Sequence, residues 1–191
     1  MRELVYVPVV HSEADLGSLS GEIRQRFEQA FGAGAWGRRR ALVEAMWDGV
    51  RSRLEELPVA WSRARLYQDG LPVCGREHEI VRELAAQGSR NHQLLLDLAA
   101  RGAALMGTED PELMVREYGR VKALVRAAAE QAPDAVAQEL RREGETILRA
   151  RDGHMAARID ATLGPCETGI LLVGLLDRID ELLAHKMRVT H

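Results

Sequence analysis

Acidic residues and a histidine follow the apolar runs of this sequence, each at the point where a run ends. The first run, residues 4–10, is followed by His11, Glu13 and Asp15. The later runs are followed by Gln68 and Asp69, by Glu109 and Asp110, and by Asp177. Imidazole and carboxylate groups bind divalent metals and transfer protons. The recurrence therefore predicts a chemically active site where the runs end.

The segment after the first run has the composition of a metal site. Its H-x-E-x-D pattern combines an imidazole with carboxylates, which suits zinc or manganese. We predict that His11 and Glu13 bind a divalent metal or act as a base. The full set of predicted metal ligands is His11, Glu13, Glu109 and Asp177. The spacing is less specific than an H-E-x-x-H pair on one helical face.

Several of these acidic residues also have ordinary structural explanations. Asp69 precedes a glycine, which is typical of a turn, and Asp110 precedes a proline, which is typical of a helix start. Asp177 could cap the last helix. A histidine at the end of a buried strand has no comparable turn-forming role. His11 is therefore the candidate that structure alone explains least.

A long helical pattern near the C-terminus contributes a cation. Arg151 lies four residues before Met155 and shares its helical face, which would direct the guanidinium toward the same site. There it could neutralise carboxylates or hold an anionic group of a substrate, so we include it among the catalytic residues. The alternative is an ion pair with Asp152 on a solvated face. Three other histidines lie in polar helical contexts and are expected at the surface: His78, His92 and His185.

Short apolar runs that alternate with helical stretches predict the elements that position these groups. Strands are expected over 4–10, 63–68, 103–106 and 169–176. Helices are expected over 23–31, 36–57, 77–87, 91–100, 112–163 (broken at Pro133) and 179–185, with Ser18 or Ser20 capping the first. This alternation predicts a single α/β domain over residues 1–191. Its small, mostly parallel sheet of about four strands would be flanked by helices, with a long C-terminal helical segment.

Parallel pairing would bring the candidate residues to one place. The carboxyl ends of parallel strands share one edge of the sheet, and open α/β sheets bind ligands there. We therefore predict that His11, Asp69, Glu109 and Asp177 line a common cleft. Pro8 places the first strand near a sheet edge or a bulge, and the short, half-polar second strand also suits an edge.

Composition excludes several classes of protein. Hydrophobic residues make up 46% and charged residues 29%, as in an ordinary globular domain. A net charge of −3 argues against a nucleic-acid-binding protein. No apolar stretch approaches the roughly 20 residues that span a bilayer, and no secretory leader is recognisable. Cys74 and Cys166 are too few for a disulfide framework. We expect a cytoplasmic protein with no nucleic-acid or membrane partner.

Three segments resemble the TraB/Tiki-like group, near which haem-uptake ChaN-like and erythromycin-esterase-like proteins are placed. They are residues 7–11, a strand that ends in His; residues 151–156, which read Arg-Asp-Gly-His-Met-Ala; and residues 170–177, the final apolar strand. In the group the last strand is typically followed by His, where this sequence has Asp177. The resemblance implies an α/β fold and a metal-dependent hydrolytic site.

Three functions agree with these features. The first is a metal-dependent hydrolase in which His11, Glu13, Glu109 and Arg151 are catalytic and act on a small-molecule substrate. The second is a non-catalytic protein of the same fold that binds a small ligand or a partner protein. The third is a self-associating protein, a homodimer formed through the long helical segment. The sequence contains no G-x-x-x-x-G-K-[ST] phosphate-binding motif and no G-x-S-x-G nucleophile elbow, and no G-x-G-x-x-G directly follows the first strand.

Overall fold

A computed structural model describes residues 2–13, 15, 17 and 20–191. The strands are β1 (Glu3–Val9), β2 (Ala64–Gln68), β3 (Ala104–Met106), β4 (Thr168–Gly174) and β5 (Arg188–Thr190). The helices are α1 (Ser20–Phe31), α2 (Ala35–Glu55), α3 (Glu77–Ala86), α4 (Arg90–Ala100), α5 (Pro111–Ala129), α6 (Asp134–Thr162) and α7 (Ile179–Leu183).

The strands that the structure describes form one parallel sheet in the order β3-β2-β4-β1-β5. This confirms the predicted α/β fold with a small parallel sheet and a long C-terminal helical segment. β4 lies in the centre and is buried from Gly169 to Val173, which explains why it is the most apolar run of the sequence. The loops after β1, β2 and β4 are consequently neighbours.

Two predictions about the strands needed correction or refinement. β2 suits an edge by composition, yet it is an interior strand paired with both β3 and β4. Burial of its apolar side chains against helices on both faces outweighs its short length. Pro8 does lie at an open edge, because β5 pairs only with residues Glu3 to Val5 of β1.

Helices cover both faces of the sheet and form two hydrophobic layers. On one face α2, α3 and α4 pack on the sheet through residues such as Trp47, Val81 and Leu95. On the other face α6 and α7 pack through residues such as Met155 and Ile179. Side chains of β4 alternate between these layers, as expected of a strand buried on both faces. No helix among the described residues is long and apolar enough to cross a membrane.

Helix ends define two of the loops near the carboxyl edge. Asp110 is the N-cap of α5, and its side chain accepts hydrogen bonds from the backbone N–H groups of Glu112 (2.7 Å) and Leu113 (3.1 Å). The predicted helix start at Asp110 is therefore confirmed. Of the two predicted caps of α1, Ser18 lies outside the described residues, and Ser20 is the first residue of the helix.

Candidate functional site

The loops that follow β1, β2 and β4 bring His11 and Asp69 into contact. His11 Nε2 lies 3.0 Å from Asp69 Oδ2, and the same oxygen accepts a hydrogen bond from the backbone N–H of Gly174 at 2.9 Å. Burial lowers the pKa of His11, but the hydrogen bond with Asp69 and the surrounding carboxylates raise it to about 9. His11 is therefore an imidazolium at neutral pH and acts as a donor rather than as a base.

Asp15 anchors the loop that carries His11. It accepts hydrogen bonds from the backbone N–H of Ser12 (2.8 Å) and from the hydroxyls of Ser12 (2.7 Å) and Ser89 (2.6 Å). Burial raises the pKa of Asp15, but hydrogen bonds involving His92, Ser89 and Ser12 lower it to about 2. His92 is buried beside this carboxylate, so its predicted surface position is wrong. The residues around His92 are polar because they belong to a buried hydrogen-bond network, not because they face solvent.

Glu109 and Arg151 form a second ion pair at the same edge. Arg151 Nε donates to Glu109 Oε2 at 3.1 Å, and Arg151 Nη2 donates to Oε1. The backbone N–H of Gly70 donates to Oε1 at 3.1 Å, and Glu109 is fully buried. Burial lowers the pKa of the Arg151 guanidinium, but the hydrogen bonds to Glu109 raise it above its ordinary value. The alternative Arg151–Asp152 pair on a solvated face is wrong, because Arg151 turns toward Glu109.

Asp152 and Asp177 form a carboxyl pair between α6 and the loop after β4. The two groups interact, and the negative charge of Asp152 favours the protonated form of Asp177. Burial and then the negative charges of Asp69 and Asp152 raise the pKa of Asp177 to about 7. Burial likewise raises the pKa of Asp152. The pair therefore gains and loses a proton close to neutral pH.

Backbone contacts fix this carboxyl pair in place. The N–H of Arg178 donates to Asp152 Oδ2 at 3.3 Å, and the hydroxyl of Tyr6 donates to the backbone carbonyl of Asp177 at 2.8 Å. Burial raises the pKa of Tyr6, so the hydroxyl remains a donor. A side chain at Gly174 would place its Cβ 2.7 Å from Asp177 Oδ2 and 3.3 Å from Asp69 Oδ2. Glycine therefore lets both carboxylates approach the end of β4.

Asp152 was absent from the predicted catalytic and metal-binding residues, although the sequence contains a signal for it. Asp152, Met155, Ala156 and Ile159 follow the i, i+3, i+4, i+7 spacing of one helical face, and all four are buried. A carboxylate on the buried face of an amphipathic helix must find a partner, because an isolated buried charge is costly. That spacing could have identified Asp152 as a site residue.

Buried polar atoms without partners gather around these pairs. Within the described part of the chain, the side-chain atoms that lack a hydrogen-bond partner include Gln68 Oε1, Asp69 Oδ1, Asp152 Oδ1 and Asp177 Oδ1. Asp69 is only 5% exposed and Asp152 only 7%. Buried polar groups in folded proteins almost always have partners. Such a concentration of unpaired acceptors marks the place where a polar ligand or a proton would be held.

Two of the four residues predicted as metal ligands are held by other side chains. Glu13 accepts a hydrogen bond from Trp36 Nε1 at 2.9 Å, on α2, and both oxygens of Glu109 are engaged by Arg151. Among the described residues, no group of three or more His, Cys, Asp or Glu side chains is arranged to hold a metal ion. The zinc or manganese site predicted at His11, Glu13, Glu109 and Asp177 stays a prediction.

The edge thus combines two cations with one ionisable carboxyl pair. His11 and Arg151 can donate hydrogen bonds to an oxygen that gains negative charge, whereas Asp177 with Asp152 can accept or return a proton. Groups with these properties can take part in acid–base chemistry. Comparisons with protein-family models, with curated proteins and with solved structures found no match to this chain.

Proposed function

We propose that the protein is a hydrolase whose reaction takes place at the carboxyl edge of the sheet, with the Asp152–Asp177 pair as base. The single observation that supports this most strongly is the carboxyl pair itself, enclosed between α6 and the end of β4 and flanked by the His11–Asp69 and Arg151–Glu109 ion pairs. Ion pairs that serve only to stabilise a fold do not require a pair of acidic side chains beside them. Two carboxyl groups that share one proton are a recurrent catalytic device in hydrolases.

The proton transfers follow from the roles of these groups. Asp177 in its ionised form takes a proton from a water molecule as the water oxygen bonds to the electrophilic centre of the substrate. Asp152 holds the carboxyl group in place. As the bond to the leaving group breaks, the proton on Asp177 passes to the leaving group, which restores the carboxylate. Water is thus divided between the two products.

The two cations stabilise the charge that develops on the substrate. His11 is held by Asp69 and Arg151 by Glu109, so neither has to reorganise during the reaction. An oxyanion next to a fixed imidazolium or guanidinium is favoured because the site is partly buried, where charge-assisted hydrogen bonds are strong. The resemblance to the TraB/Tiki-like group implies hydrolysis as well, through a metal. The metal site stays a prediction, and the steps above use only the side chains of this protein.

A panel of chromogenic substrates tests the proposal without knowledge of the natural substrate. Purified protein is assayed at pH 8 against p-nitrophenyl esters, p-nitroanilides, p-nitrophenyl phosphate and p-nitrophenyl glycosides. Asp177→Asn is the test variant. Asp48→Asn is the matched control, because the Asp48 carboxylate is 62% exposed in a surface ion pair with Arg90. We expect hydrolysis of at least one class, a loss of about 100-fold or more in Asp177→Asn, and unchanged rates in Asp48→Asn.

Two results would contradict the proposal. The first is an absence of hydrolysis for every class, which would favour the non-catalytic ligand-binding alternative. The second is full activity in Asp177→Asn. The assays are repeated after dialysis against a chelator and after addition of zinc or manganese, and the metal content of the protein is measured. A requirement for a metal would restore the predicted metal-dependent mechanism in place of the acid–base mechanism.

A further inference from the structure

A cavity of about 270 Å³ adjoins the carboxyl edge between α1 and α5. Two of its lining residues belong to the site already described. Arg151 holds Glu109, and Asp15 lies 3.9 Å from His11 Nδ1 through its Oδ2 atom. The cavity therefore shares Arg151 with the groups to which we assign the chemistry.

The rest of the cavity wall is mostly apolar. Ile23 of α1 and Met114, Tyr118 and Val121 of α5 line it. Pockets for small molecules combine such apolar walls with a few polar groups that fix orientation. The volume equals that of roughly nine molecules of liquid water, which is room for an apolar group of about six carbon atoms.

The charged groups that line the cavity do not favour a cationic ligand. Asp15 already accepts three hydrogen bonds from Ser12 and Ser89. Glu117 also lines the cavity and is held by Arg120, whose Nε and Nη2 donate to its two oxygens at 2.9 and 2.6 Å. Both carboxylates thus have partners within the protein, and neither is free to select an amine.

Arg151 offers the polar contact at the end of the cavity that adjoins the site. Its hydrogen bonds to Glu109 use Nε and Nη2, and within the described residues Nη1 makes none. A free guanidinium N–H beside an apolar wall matches a carbonyl oxygen attached to a hydrocarbon group. An apolar wall with a hydrogen-bond donor at one end suits an acyl group, which has a hydrocarbon chain and a carbonyl oxygen.

We infer that this cavity is the acyl subsite of the enzyme, and that its substrates are esters of short and medium-length carboxylic acids. The inference rests on the proposed function, because it assigns the substrate of the same site. The acyl chain lies against Met114 and Val121, the carbonyl oxygen accepts from Arg151 Nη1, and the ester bond faces the carboxyl pair. Water adds to the carbonyl carbon, the bond to the alcohol oxygen breaks, and the products are a carboxylic acid and an alcohol.

Chain-length dependence of kcat/KM tests this assignment. The wild-type protein is assayed with p-nitrophenyl acetate, butyrate, hexanoate and decanoate. We expect kcat/KM to rise by about fourfold per added methylene as far as the cavity can hold the chain, and to fall for decanoate. The test variant is Val121→Phe, which fills the cavity. The matched control is Val115→Phe on the same helix, because Val115 is 71% exposed and does not line the cavity.

Val121→Phe should lower kcat/KM for hexanoate by about tenfold or more relative to acetate, whereas Val115→Phe should leave the ratio unchanged. Met114→Ala should move the preference toward longer chains, so the assignment remains testable if Val121→Phe folds poorly. Hydrolysis of these esters with no dependence on chain length, or with equal effects of the two phenylalanine substitutions, would overturn the acyl subsite while the proposed function stands.

A binding measurement separates failure of the subsite from failure of the proposed function. Hexanamide presents the same carbonyl and chain but is a poor substrate, and its binding is followed by NMR line broadening. Binding in the wild type that is lost in Val121→Phe supports the subsite. If that binding occurs but no chromogenic substrate is hydrolysed, the proposed function fails and the subsite holds. If other substrate classes are hydrolysed but no ester is, the acyl assignment fails.

Discussion

At the scale of single residues, the site depends on which charges have a partner of opposite sign. His11 lies against Asp69 and Arg151 lies against Glu109, so each cation of the site has a carboxylate beside it. The carboxyl groups of Asp152 and Asp177 instead share their immediate surroundings with each other. A proton is therefore held where two like charges meet, and this is the group that changes charge under working conditions.

The first prediction concerns the charge of His11. Replacement of Asp69 by Asn removes the hydrogen bond and the negative charge that raise the pKa of His11, so we expect the pKa to fall from about 9 toward the ordinary value of 6.5. NMR titration of the histidine ring nitrogens measures it. A pKa of His11 that stays near 9 in Asp69→Asn would show that other groups hold its proton.

The same pair contributes to stability in a defined pH range. The pKa of His11 is higher in the folded protein than the unfolded value of 6.5, so folding favours the protonated form. The contribution is fully present below pH 6.5 and is lost as pH rises through 9. The difference in the free energy of unfolding between wild type and Asp69→Asn should shrink over that interval, as urea denaturation at several pH values would show.

The second prediction concerns how much the carboxyl pair lowers the free energy of unfolding. The pKa of Asp177 is raised from 3.8 to about 7, so the folded protein binds this proton more tightly than the unfolded chain does. Stability from this group is therefore lost as pH rises from 3.8 through 7. At pH 8, Asp177→Asn should raise the free energy of unfolding by about 1–3 kcal/mol. At pH 4 the gain should be absent.

Urea denaturation of Asp177→Asn, the wild type and the exposed control Asp48→Asn would measure this difference. The control should change stability by less than about 1 kcal/mol at either pH, as expected of a surface ion pair. Equal stability of the wild type and Asp177→Asn at pH 8 would mean that Asp177 is not strained by its neighbours.

Sequence identified some of these residues and missed others for specific reasons. His11 and Asp177 could be predicted because each lies within three residues of the end of an apolar strand, where position along the chain fixes position at the sheet edge. Asp152 and His92 were missed or misplaced because both lie in helices, where polar surroundings in sequence suggested solvent. Whether such a residue is buried depends on tertiary packing that local sequence describes only through its helical spacing.

At the scale of secondary-structure elements, the backbone at the end of β4 lies close to two carboxylates of the site. The backbone N–H of Gly174 donates to Asp69, and a Cβ at this position would lie 2.7 Å from Asp177 Oδ2. The third prediction is that Gly174→Ala lowers activity by about tenfold or more, because its Cβ would displace the carboxylates that surround it and small displacements of catalytic groups are costly.

Circular dichroism should show that Gly174→Ala retains the helical content of the wild type. The control is Gly49→Ala in α2, where an added Cβ meets no atom within 4 Å. That substitution should raise stability by about 1 kcal/mol through helix propensity and leave activity unchanged. Wild-type kinetics in Gly174→Ala would show that the carboxylates do not need this close approach.

The Glu109–Arg151 pair connects the loop after β3 to α6. The fourth prediction is that Glu109→Gln destabilises the protein by about 3 kcal/mol, because it leaves the largely buried guanidinium of Arg151 without its counter-charge. The control is Glu79→Gln, whose partner Arg76 is exposed, with an expected effect below about 1 kcal/mol. If Glu109→Gln and Glu79→Gln lower the free energy of unfolding by the same small amount, this ion pair does not stabilise the packing of α6. Thermal and urea unfolding would measure both variants.

Most elements could be predicted from hydrophobic pattern, and the exceptions are short. The apolar run of β4, the helical spacing of α6 and the Asp110 cap each agree with the structure. β5 was not predicted because its three residues, Arg188 to Thr190, are too few to show an alternating pattern. It forms because the backbone of β1 offers it a free edge.

At the scale of the whole molecule, the strand order determines where a ligand can approach. β4 is inserted between β2 and β1, so three loops that are far apart in sequence surround one point at the carboxyl edge. The alternation of strands and helices predicts this edge but not the order of the strands, because that order depends on contacts between distant segments. The predicted homodimer stays a prediction, which sedimentation velocity can check.

The central claim is that hydrolysis depends on a carboxyl pair that loses a proton near neutral pH. The fifth prediction is therefore the pH dependence of kcat/KM for the chromogenic substrate that is cleaved fastest. The rate should rise through about pH 7 as Asp177 loses its proton, and it should fall through about pH 9 as His11 loses the proton that makes it a donor.

This profile, recorded from pH 5 to 10 in the wild type and in Asp177→Asn, is the most direct test of the claim. The wild type should show a bell-shaped curve with its maximum near pH 8, and Asp177→Asn should be slower by about 100-fold or more across that range. A wild-type profile with no ascending limb near pH 7, or an Asp177→Asn variant with the wild-type rate, would contradict it.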